Sequence, residues 1–466
     1  MKIVLCSSEV VPFAKTGGLA DVAGALPLAL EKLNQEVVVV MPKYACVEKS
    51  GLPIKQLEPG FSFTTIGKNV RVYFVENDKY YDRPGLYGEK AGDYPDNLSR
   101  FSFYCEKTLE LLKAIDFRPD VIHCNDWQST LIPVYLKTRL EKDPFYKNTK
   151  TLLTIHNLAY QGLFPKEQFD QLELDESLFS IDGFEFYGKI SLLKAGIIFA
   201  DSISTVSQGY AKEILTKEFG CGLESVLGQR SDSLSGIING LDYSIWNPKT
   251  DKYIFENFQE TDLSGKKVNK KELQKSCGLS VKKNIPLFGF VGRLAEQKGV
   301  DLLYKLIKNI KALNIQVVIL GTGDQRYHDL LGEVAKKAPK LFSLNLKFDD
   351  VLAHRIYAGC DMFMMPSRYE PCGLGQMISF KYGTIPLAYK TGGLADTVFN
   401  FDPKTKVGNG FVFTSYSHKE FLGIINQAKL IYSDQKTWSG LVKEVMNYNF
   451  SWKESGKKHI ELYRKI

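Results

Sequence analysis

One heptapeptide occurs twice in the chain, at residues 15–21 and again at residues 390–396. Each copy reads Lys-Thr-Gly-Gly-Leu-Ala-Asp, follows a strand-like apolar run and precedes a helical pattern. A glycine pair at a strand-to-helix turn lets a ligand approach the backbone, and the helix start presents unpaired N–H groups to a phosphate or a sugar oxygen. Tight turning alone is the plainer interpretation of either copy. The duplication favours ligand binding in two separate halves of the chain.

Two further motifs place charged side chains after buried strands. Arg293 and Lys298 follow the apolar run 287–291, where their donors suit a diphosphate. Glu370 follows the run 362–365, and the backbone of residues 373–375 could hold an anion. Surface cations are often only solvated, and Glu370 could instead stabilise a helix start. The phosphate-binding theme elsewhere in the chain favours a functional interpretation.

Polar residues also follow two strands of the N-terminal half. His156 and Asn157 follow the run 152–155, and Asp126 and Trp127 follow the run 121–124. A lone histidine is more often structural than catalytic, and a tryptophan is more often a core residue than a sugar platform. The hypothesis of an active site therefore depends on the convergence of four strand ends.

Length and composition limit the classes of function. A chain of 466 residues exceeds the size at which one core keeps growing, so we expect two domains. The net charge of +7 comes from scattered lysines, which suits anionic small molecules better than nucleic acid. The 8 cysteines are dispersed and predict reduced thiols. No apolar stretch is long enough to span a membrane, and Met1 leads directly into a strand, so a cytoplasmic location is expected.

Short continuous apolar runs alternate with helical patterns in both halves, which predicts α/β domains with parallel sheets. We expect an N-terminal domain over residues 1–243, completed by a helix at 451–466, and a second domain over 244–450. A polar, lysine-rich stretch at 256–284 separates the two series of strands. Ligands bind beyond the carboxyl ends of such strands, so two facing sheets should enclose a deep cleft. The runs are residues 3–6, 37–40, 121–124, 152–155, 203–206, 237–238, 287–291, 317–320, 344–348, 362–365, 385–388 and 411–413.

Other nucleotide-binding signatures are incomplete. Residues 183–189 match the first part of a P-loop, but Ile190 replaces the Ser or Thr that would hold magnesium. Neither a G-x-G-x-x-G nor an Asp-x-Asp sequence occurs. These features argue against dinucleotide oxidoreduction and against a nucleotide diphosphate held by a metal.

Taken together, these segments resemble the family of bacterial glycogen synthases and plant starch synthases, which are retaining glucosyltransferases with the GT-B architecture. Related GT-B enzymes commonly carry a second Glu eight positions after the one that matches Glu370, whereas this chain has Ile378 there. That difference favours the synthases over sucrose- and trehalose-type relatives. The resemblance spans nearly the whole chain and includes residues 15–21, 94–97, 126–127, 156–162, 239–240, 292–299, 370–374 and 390–396.

The resemblance implies transfer of glucose from ADP-glucose to the non-reducing 4-hydroxyl of an α-1,4-glucan such as glycogen, with retained anomeric configuration. It implies no metal or other cofactor, and neither nucleic acid nor membrane as a partner. Since no covalent nucleophile stands out, the hypothesis is a front-face mechanism in which the leaving phosphate helps to take the acceptor proton. Two alternatives are a related transferase that uses UDP-glucose and a catalytically silent glucan-binding protein.

The resemblance also assigns roles to residues. Glu370 and Cys372, with the backbone of 373–375, would hold the donor glucose, and His156 would lie near the anomeric carbon. The catalytic set is His156, Glu370, Arg293, Lys298, Asp21 and Asp126; the donor and phosphate set is Lys15, Gly17, Gly18, Asn239, Cys372, Gly373, Leu374, Gly375, Thr391, Gly392 and Gly393; the acceptor set is Asp126, Trp127, Asn157 and Tyr94.

Two positions depart from the family pattern. Gly375 stands where Thr or Ser is usual, so a hydroxyl contact, expected to reach phosphate, is missing. Asn125 stands where many bacterial members have His, although plant enzymes also use Asn.

Overall fold

The computed structural model describes residues 1–90 and 92–466, and these form two compact units. Unit 1 contains residues 1–240 and 452–466, and unit 2 contains residues 241–451. The sequence placed the divisions after residues 243 and 450. Each unit has its own buried sheet core.

Unit 1 is built around a nine-stranded sheet. Its first strand is fully buried at Ile3, Val4 and Leu5, as a parallel strand covered on both faces must be. The strands of unit 1, including two small additional sheets, are β1 (Lys2–Cys6), β2 (Glu36–Pro42), β3 (Lys55–Glu58), β4 (Phe61–Ile66), β5 (Val70–Val75), β6 (Gly88–Glu89), β7 (Gly92–Asp93), β8 (Val121–Asn125), β9 (Lys150–Ile155), β10 (Leu163–Pro165), β11 (Glu185–Phe186), β12 (Lys189–Ser191), β13 (Ser202–Thr205) and β14 (Leu234–Gly236).

The order of strands in the large sheet is β14-β13-β9-β8-β1-β2-β5-β4-β3. From β14 to β5 all neighbours are parallel. The chain builds outward from β1 to β2 and β5, then returns to the other side of β1 with β8. The order therefore reverses between β1 and β8, and the crevice beyond their carboxyl ends is where such sheets bind ligands.

One edge of this predominantly parallel sheet is antiparallel. Strand β4 pairs antiparallel with β5 on one side and with the edge strand β3 on the other. The sequence did not show β3 because all four of its residues are exposed and only Leu57 is apolar. It did not show β4 and β5 because Ser62, Thr64 and Arg71 interrupt their apolar residues. Ser62 and Thr64 are 1% and 3% exposed, so polar residues are buried within β4 and leave no continuous apolar run.

The helices of unit 1 cover the faces of the sheet. The helices before residue 241, where the chain enters unit 2, are α1 (Gly18–Lys32), α2 (Asp78–Tyr81), α3 (Asn97–Ala114), α4 (Leu131–Lys137), α5 (Leu192–Phe199), α6 (Gln208–Glu213) and α7 (Glu224–Gln229). Short 3-10 turns occur at Val47–Ser50, Trp127–Ser129, Lys166–Leu172, Glu176–Leu178 and Ser231–Ser233.

Unit 2 contains a six-stranded sheet whose order is β17-β16-β15-β18-β19-β20, with every pair parallel. Its elements are α8 (Ser264–Ser276), β15 (Leu287–Val291), a 3-10 turn (Glu296–Lys298), α9 (Val300–Ile307), α10 (Ile310–Leu313), β16 (Gln316–Leu320), α11 (Gln325–Lys337), β17 (Phe342–Asn345), α12 (Asp350–Gly359), β18 (Met362–Met365), α13 (Gly375–Lys381), β19 (Ile385–Tyr389), α14 (Gly392–Thr397), β20 (Phe411–Phe413), α15 (His418–Ser433) and α16 (Gln435–Val445).

Within unit 2 the strands follow the order 3-2-1-4-5-6 of a doubly wound nucleotide-binding sheet. The reversal lies between β15 and β18. Two predicted runs were misplaced, since β14 ends before the run 237–238 and β17 ends at Asn345, within the run 344–348. Beyond β17, Leu346 and Phe348 are 41% and 85% exposed, so their apolar character does not come from the sheet.

The lysine-rich stretch 256–284 is not simply a polar linker, because α8 lies within it. Lys266 is buried and donates to the carbonyls of Ala358 and Tyr382. Lys270 is also buried, and its Nζ lies 2.7 Å from a carboxylate oxygen of Asp361. Each long aliphatic stem packs inward while its ammonium group finds acceptors, so polar composition hid a core helix.

The C-terminal helix α17 (Trp452–Tyr463) belongs to unit 1 and packs on α1. The hydroxyl of Tyr463 lies 2.8 Å from Nδ1 of buried His123 in β8, and Ser455 donates to the carbonyl of Ile238. Gly456 allows close contact with α1. The last residues of the chain therefore complete the domain formed by the first.

The described residues contain no helix that is long and apolar enough to cross a membrane. All 8 cysteines of the sequence are free thiols in the structure.

Substitution of Gly456 by leucine should separate α17 from α1. A Cβ atom at this position would lie 3.1 Å from Leu33 Cδ1 and 3.5 Å from Ala29 Cβ. Overpacking predicts a loss of about 1–3 kcal/mol in the free energy of unfolding, measured by urea denaturation. The matched control is Gly423→Leu in α15, where a Cβ contacts no described atom within 4 Å and helix propensity favours leucine. Equal stability of the two variants would contradict the packing of α17.

Candidate active site

A lysine and a glutamate meet where the strand order of unit 2 reverses. Lys298 ends the 3-10 turn after β15, Glu370 follows β18, and Nζ of Lys298 lies 2.5 Å from Oε2 of Glu370. Ser367 donates to the same oxygen over 2.9 Å. Glu370 is 7% exposed. Lys298 and Ser367 therefore hold a largely buried carboxylate in place at the edge of the sheet.

Gly299 makes this approach possible. Its φ is +71°, and a Cβ atom would lie 1.9 Å from the carbonyl oxygen of Pro366. Only glycine accepts both the left-handed conformation and that contact. The turn that carries Lys298 can therefore rest against the segment that carries Glu370.

Arg293, directly beyond β15, is exposed. Its guanidinium donates to Oε1 of Gln297 over 3.1 Å, and no ion pair with a carboxylate is formed within the described chain. A guanidinium with unused donors at the carboxyl end of a central strand can take a phosphate as a bidentate partner.

The second heptapeptide copy supports the segment that carries Glu370. The amide of Gly393 donates to the carbonyl of Glu370 over 3.0 Å, and a Cβ atom on Gly393 would lie 2.0 Å from the carbonyl oxygen of Cys372. Thr391, Gly392 and Gly393 are buried. In this copy the glycines serve packing between the two loops.

Residues 372–375 form the turn that starts α13. Cys372 is buried, Gly373 has φ +72°, and Leu374 precedes the first helical residue, Gly375. A Cβ atom on Gly375 would lie 3.0 Å from Phe363 Cε1 and 3.2 Å from Met365 Cε. The missing hydroxyl at this position thus coincides with a tightly packed site, in which a larger residue would displace Phe363 or Met365.

The first heptapeptide copy is open where the second is packed. A Cβ built on Gly17 or Gly18 meets none of the described atoms within 4 Å, and both residues are exposed. Gly17 has φ −147°, so neither its conformation nor its packing requires glycine. The space beside this backbone is therefore free for a ligand.

Lys15 and Asp21 flank this turn, and Lys15 Nζ lies 2.7 Å from Asp21 Oδ1. Their side chains are 50% and 35% exposed. An exposed pair of this kind contributes little to stability, which leaves both groups available to other partners.

Asp126 lies at the reversal of the unit 1 sheet and has an unusual backbone conformation. Its φ is +54° and its ψ is −177°, a region that is almost restricted to glycine. One carboxylate oxygen accepts the amide N–H of His156 over 2.7 Å. Desolvation raises the pKa of Asp126 to about 7, opposed by the amides of His156 and Asn157 and assisted by the charge of Glu9. Strain and a shifted pKa coincide at one residue, as is typical of functional sites.

His156 is held as a neutral imidazole in one tautomer. The amide nitrogen of Asn125 donates to the carbonyl of Cys6 over 3.1 Å, so Oδ1 of Asn125 faces Nε2 of His156 at 2.9 Å. That contact places the proton on Nε2 and leaves Nδ1 as an acceptor. Desolvation, with a smaller contribution from His459, lowers the pKa of His156 to about 3.

Trp127 has a structural position that differs from the predicted sugar platform. Its side chain is 9% exposed, and the rings of Phe101 and Phe164 contact it edge to face. A Cβ atom on Gly162 would lie 2.6 Å from the indole. The tryptophan therefore packs beneath the loop that follows His156.

The other predicted acceptor residues are held by local contacts. The hydroxyl of Tyr94 accepts from the amide of Gly85 and donates to Glu89, each over 3.2 Å. Asn157 Oδ1 accepts the amide of Ala159 over 3.1 Å. Asn239 is buried beyond β14. Within unit 1 the structure brings Asp126 and His156 into contact, but it shows no hydrogen bond from Tyr94 to either among the described residues.

Sequence reasoning did not find Glu9, Ser367 or Tyr87. Glu9 is 3% exposed and accepts from Thr16 and Gly17 at the first glycine turn, and Tyr87 donates to it over 2.7 Å. Glu9 follows β1 by three positions, and that carboxylate after the central strand was the available signal. Ser367 and Tyr87 have no such signal, because their partners lie in other loops.

The described residues contain no group of three or more His, Cys, Asp or Glu side chains arranged to hold a metal ion.

Two family models match the chain. A starch synthase catalytic domain covers residues 2–229, and the glycosyl transferases group 1 model covers residues 270–439. The glycogen synthase of Geotalea daltonii is 48% identical over 100% of this chain and 99% of its own length. The catalytic domain of starch synthase IV from Arabidopsis thaliana, solved with ADP and acarbose, is 34% identical to this chain and superposes with a TM-score of 0.90. The match covers 99% of this chain and 98% of that domain.

A sucrose-phosphate synthase from Thermosynechococcus elongatus shares the fold at a TM-score of 0.62, with 18% identity over 100% of this chain and 98% of its own. The fold and these matches define a glycosyltransferase with the GT-B fold, as the sequence predicted. The chain belongs to the family of glycogen synthases and starch synthases.

Alanine at the two glycine turns should have different effects on stability. Gly393→Ala places a Cβ atom 2.0 Å from a carbonyl oxygen and should lower the free energy of unfolding by about 1–3 kcal/mol. Gly17→Ala places it in open space and should change stability by less than about 0.5 kcal/mol. Urea denaturation of both variants tests the contrast. A large loss in Gly17→Ala would show that the first turn is packed as well.

Asp126 should titrate near neutral pH. Its pKa of about 7 lies above the ordinary 3.8, so the folded state binds the proton more strongly than the unfolded state. Relative to Asp126→Asn, the free energy of unfolding of the unmodified protein should fall as pH rises from about 4 to 7. Carbon-13 NMR of the labelled carboxyl group measures the midpoint directly. A midpoint near 4 would contradict the desolvated environment.

Proposed function

We propose that this glycosyltransferase transfers glucose from ADP-glucose to the non-reducing 4-hydroxyl of an α-1,4-glucan, with retention of configuration and without a metal. One observation carries the proposal: Lys298 and Glu370 are paired at the strand reversal of unit 2, and Arg293, on the same loop as Lys298, keeps a guanidinium with no carboxylate partner among the described residues. This arrangement offers cations to a diphosphate and a carboxylate to sugar hydroxyls. Relatives named glycogen synthase, and a starch synthase solved with ADP and acarbose, support the choice of substrates.

We assign the donor to unit 2 and to the first glycine turn. Departure of ADP places charge on the diphosphate, and Arg293 and Lys298 are fixed donors that can stabilise it. Glu370 accepts hydrogen bonds from hydroxyl groups of the donor glucose. Cys372 and the backbone of residues 373–375 hold the same sugar. In unit 1, the first glycine turn offers the ammonium group of Lys15 and the open backbone of Gly17 and Gly18 to a phosphate. In this proposal Thr391, Gly392 and Gly393 act indirectly, by supporting the Glu370 loop.

The base of the nucleotide has a candidate contact in Phe348. Its ring is 85% exposed and follows β17, whose carboxyl end lies at the same sheet edge as that of β15. Stacking on an aromatic ring tolerates different bases. A transferase that uses UDP-glucose therefore stays an alternative.

We assign the glucan acceptor to unit 1, with His156 and Asp126 at the reacting groups. The free Nδ1 of a neutral imidazole can accept a hydrogen bond from a sugar hydroxyl. Asp126 positions the His156 backbone and can itself accept from a hydroxyl when ionised. The assignment also includes Asp21, Asn157, Asn239 and Tyr94. Trp127 acts indirectly, because it packs beneath the loop that follows His156. In the front-face route, the leaving phosphate takes the acceptor proton while the new glycosidic bond forms on the same face.

The first test measures release of nucleoside diphosphate from ADP-glucose and from UDP-glucose, each with and without glycogen. Glycogen-dependent release of ADP would support the proposal, and preference for UDP-glucose would favour the alternative donor. Saturable glycogen binding with no release from either donor would favour a silent binding protein. The cytoplasmic location stays a prediction.

Glu370→Gln should lower kcat by about 10²- to 10³-fold, because it removes a charge aimed at the donor site. The folded state should persist, since glutamine can still accept from Ser367. The matched control is Glu272→Gln, which removes the carboxylate of an exposed Lys–Glu pair on α8. Steady-state kinetics and thermal unfolding of both variants test the assignment. A kcat like that of the unmodified enzyme in Glu370→Gln would overturn it.

A further inference from the structure

Glu9 lies at the strand reversal of unit 1, and the proposed function assigns it no role. It follows β1 and is 3% exposed. Four donors converge on its carboxylate. One oxygen accepts the amides of Thr16 and Gly17, the latter over 3.1 Å, and the other accepts the hydroxyls of Thr16 and Tyr87 over 2.5 and 2.7 Å.

These contacts lie next to the start of α1, which has no side-chain cap of its own. The N-cap residue of α1 is Gly17, which has no side chain with which to bind the first amides of the helix. The Glu9 carboxylate accepts the amides of Thr16 and Gly17 immediately before that helix. Charge-assisted bonds to backbone amides are among the stronger ones in proteins. The position of the open glycine turn therefore depends on Glu9.

Tyr87 extends the network to a second loop. Its hydroxyl lies 2.7 Å from Glu9 and 2.8 Å from Ser8 Oγ. Its carbonyl accepts from the amide of Tyr94 and from the side chain of Asn97, both over 2.9 Å. Desolvation raises the pKa of Tyr87 well above its usual value, so the phenol keeps its proton as a donor.

We propose that Glu9 is a positioning residue that fixes the glycine turn of residues 15–18 and, through Tyr87, the loop that carries Tyr94. Both segments are ligand-binding elements in the proposed function, on which this inference rests. A carboxylate has about four acceptor positions, and four donors occupy them. Glu9 thus acts through the loops that it holds rather than on a substrate.

Four variants of the 466-residue chain distinguish the effect of the position of the glycine turn from the effect of the charge of Glu9. Glu9→Ala removes all four contacts. Glu9→Gln keeps the shape: its carbonyl can accept both amides, and its NH₂ group can donate to the hydroxyls of Thr16 and Tyr87. Tyr87→Phe removes the link to the second loop and the contact of the Tyr87 hydroxyl with Ser8. The matched control is Tyr44→Phe, since the buried hydroxyl of Tyr44 has no hydrogen-bond partner among the described residues.

Hydrogen exchange of the amides of Thr16 and Gly17 provides a readout that needs no catalysis. Exchange should be about tenfold faster or more in Glu9→Ala, and close to that of the unmodified protein in Glu9→Gln and Tyr44→Phe. The kcat/KM for glucosyl transfer should fall on the order of 10²-fold in Glu9→Ala, because small displacements of positioning groups have effects of this size. Glu9→Gln should restore most of that loss. Tyr87→Phe should raise the KM for glycogen more than that for the donor.

Three results would overturn the inference. Unchanged exchange in Glu9→Ala would show that other contacts hold the turn. Loss of activity in Glu9→Gln with amide protection intact would show that the charge, and not the position, matters. Equal kinetics of Tyr87→Phe and Tyr44→Phe would remove the link to the second loop. If the unmodified protein releases no nucleotide, the proposed function fails, and the exchange measurements still decide the role of Glu9.

Discussion

The reversal of strand order in each sheet is the constraint on which the rest of the structure depends. Crossovers between parallel strands are right-handed, so the chain must cover opposite faces as it moves to either side of the first strand. The loops after β1 and β8, and those after β15 and β18, therefore diverge and leave a crevice. The charged side chains of the candidate site lie beyond those four strands.

The two identical heptapeptides show how the same residues serve different purposes in different surroundings. The first follows β1, at the reversal, and its glycines face open space while Glu9 holds the turn. The second follows β19, away from the reversal, and its glycines pack against the loop of Glu370. Glycine is needed in the second copy because a Cβ would overlap a carbonyl oxygen. In the first copy neither packing nor backbone conformation requires glycine at position 17, and the space beside the backbone is open.

The candidate residues described in the two units differ in their electrostatics. Unit 2 presents permanent charges at the edge of its sheet, with Lys298 and Glu370 paired and Arg293 exposed. Unit 1 presents groups whose charge is suppressed by desolvation, since His156 is neutral and Asp126 titrates near pH 7. Permanent cations suit a diphosphate, and neutral hydrogen-bonding groups suit sugar hydroxyls, which carry no charge. This contrast agrees with the proposed roles of these five residues, and Lys15 of unit 1, which forms an ion pair with Asp21, is an exception because it is assigned to phosphate.

The sequence by itself determined the α/β class, the central strands, the GT-B family and the segments that lie at strand ends, because buried parallel strands leave continuous apolar runs and short motifs keep their residue types. It did not reveal the antiparallel edge at β3 and β4, where polar residues interrupt the pattern, or the burial of Lys266 and Lys270. Only the tertiary structure decided that Trp127 packs in the core and that the two heptapeptides differ. It alone also placed Tyr87 beside Glu9, 78 residues away in sequence. Contacts of that kind depend on which loops the sheet brings together, and no local pattern of residue types carries that information.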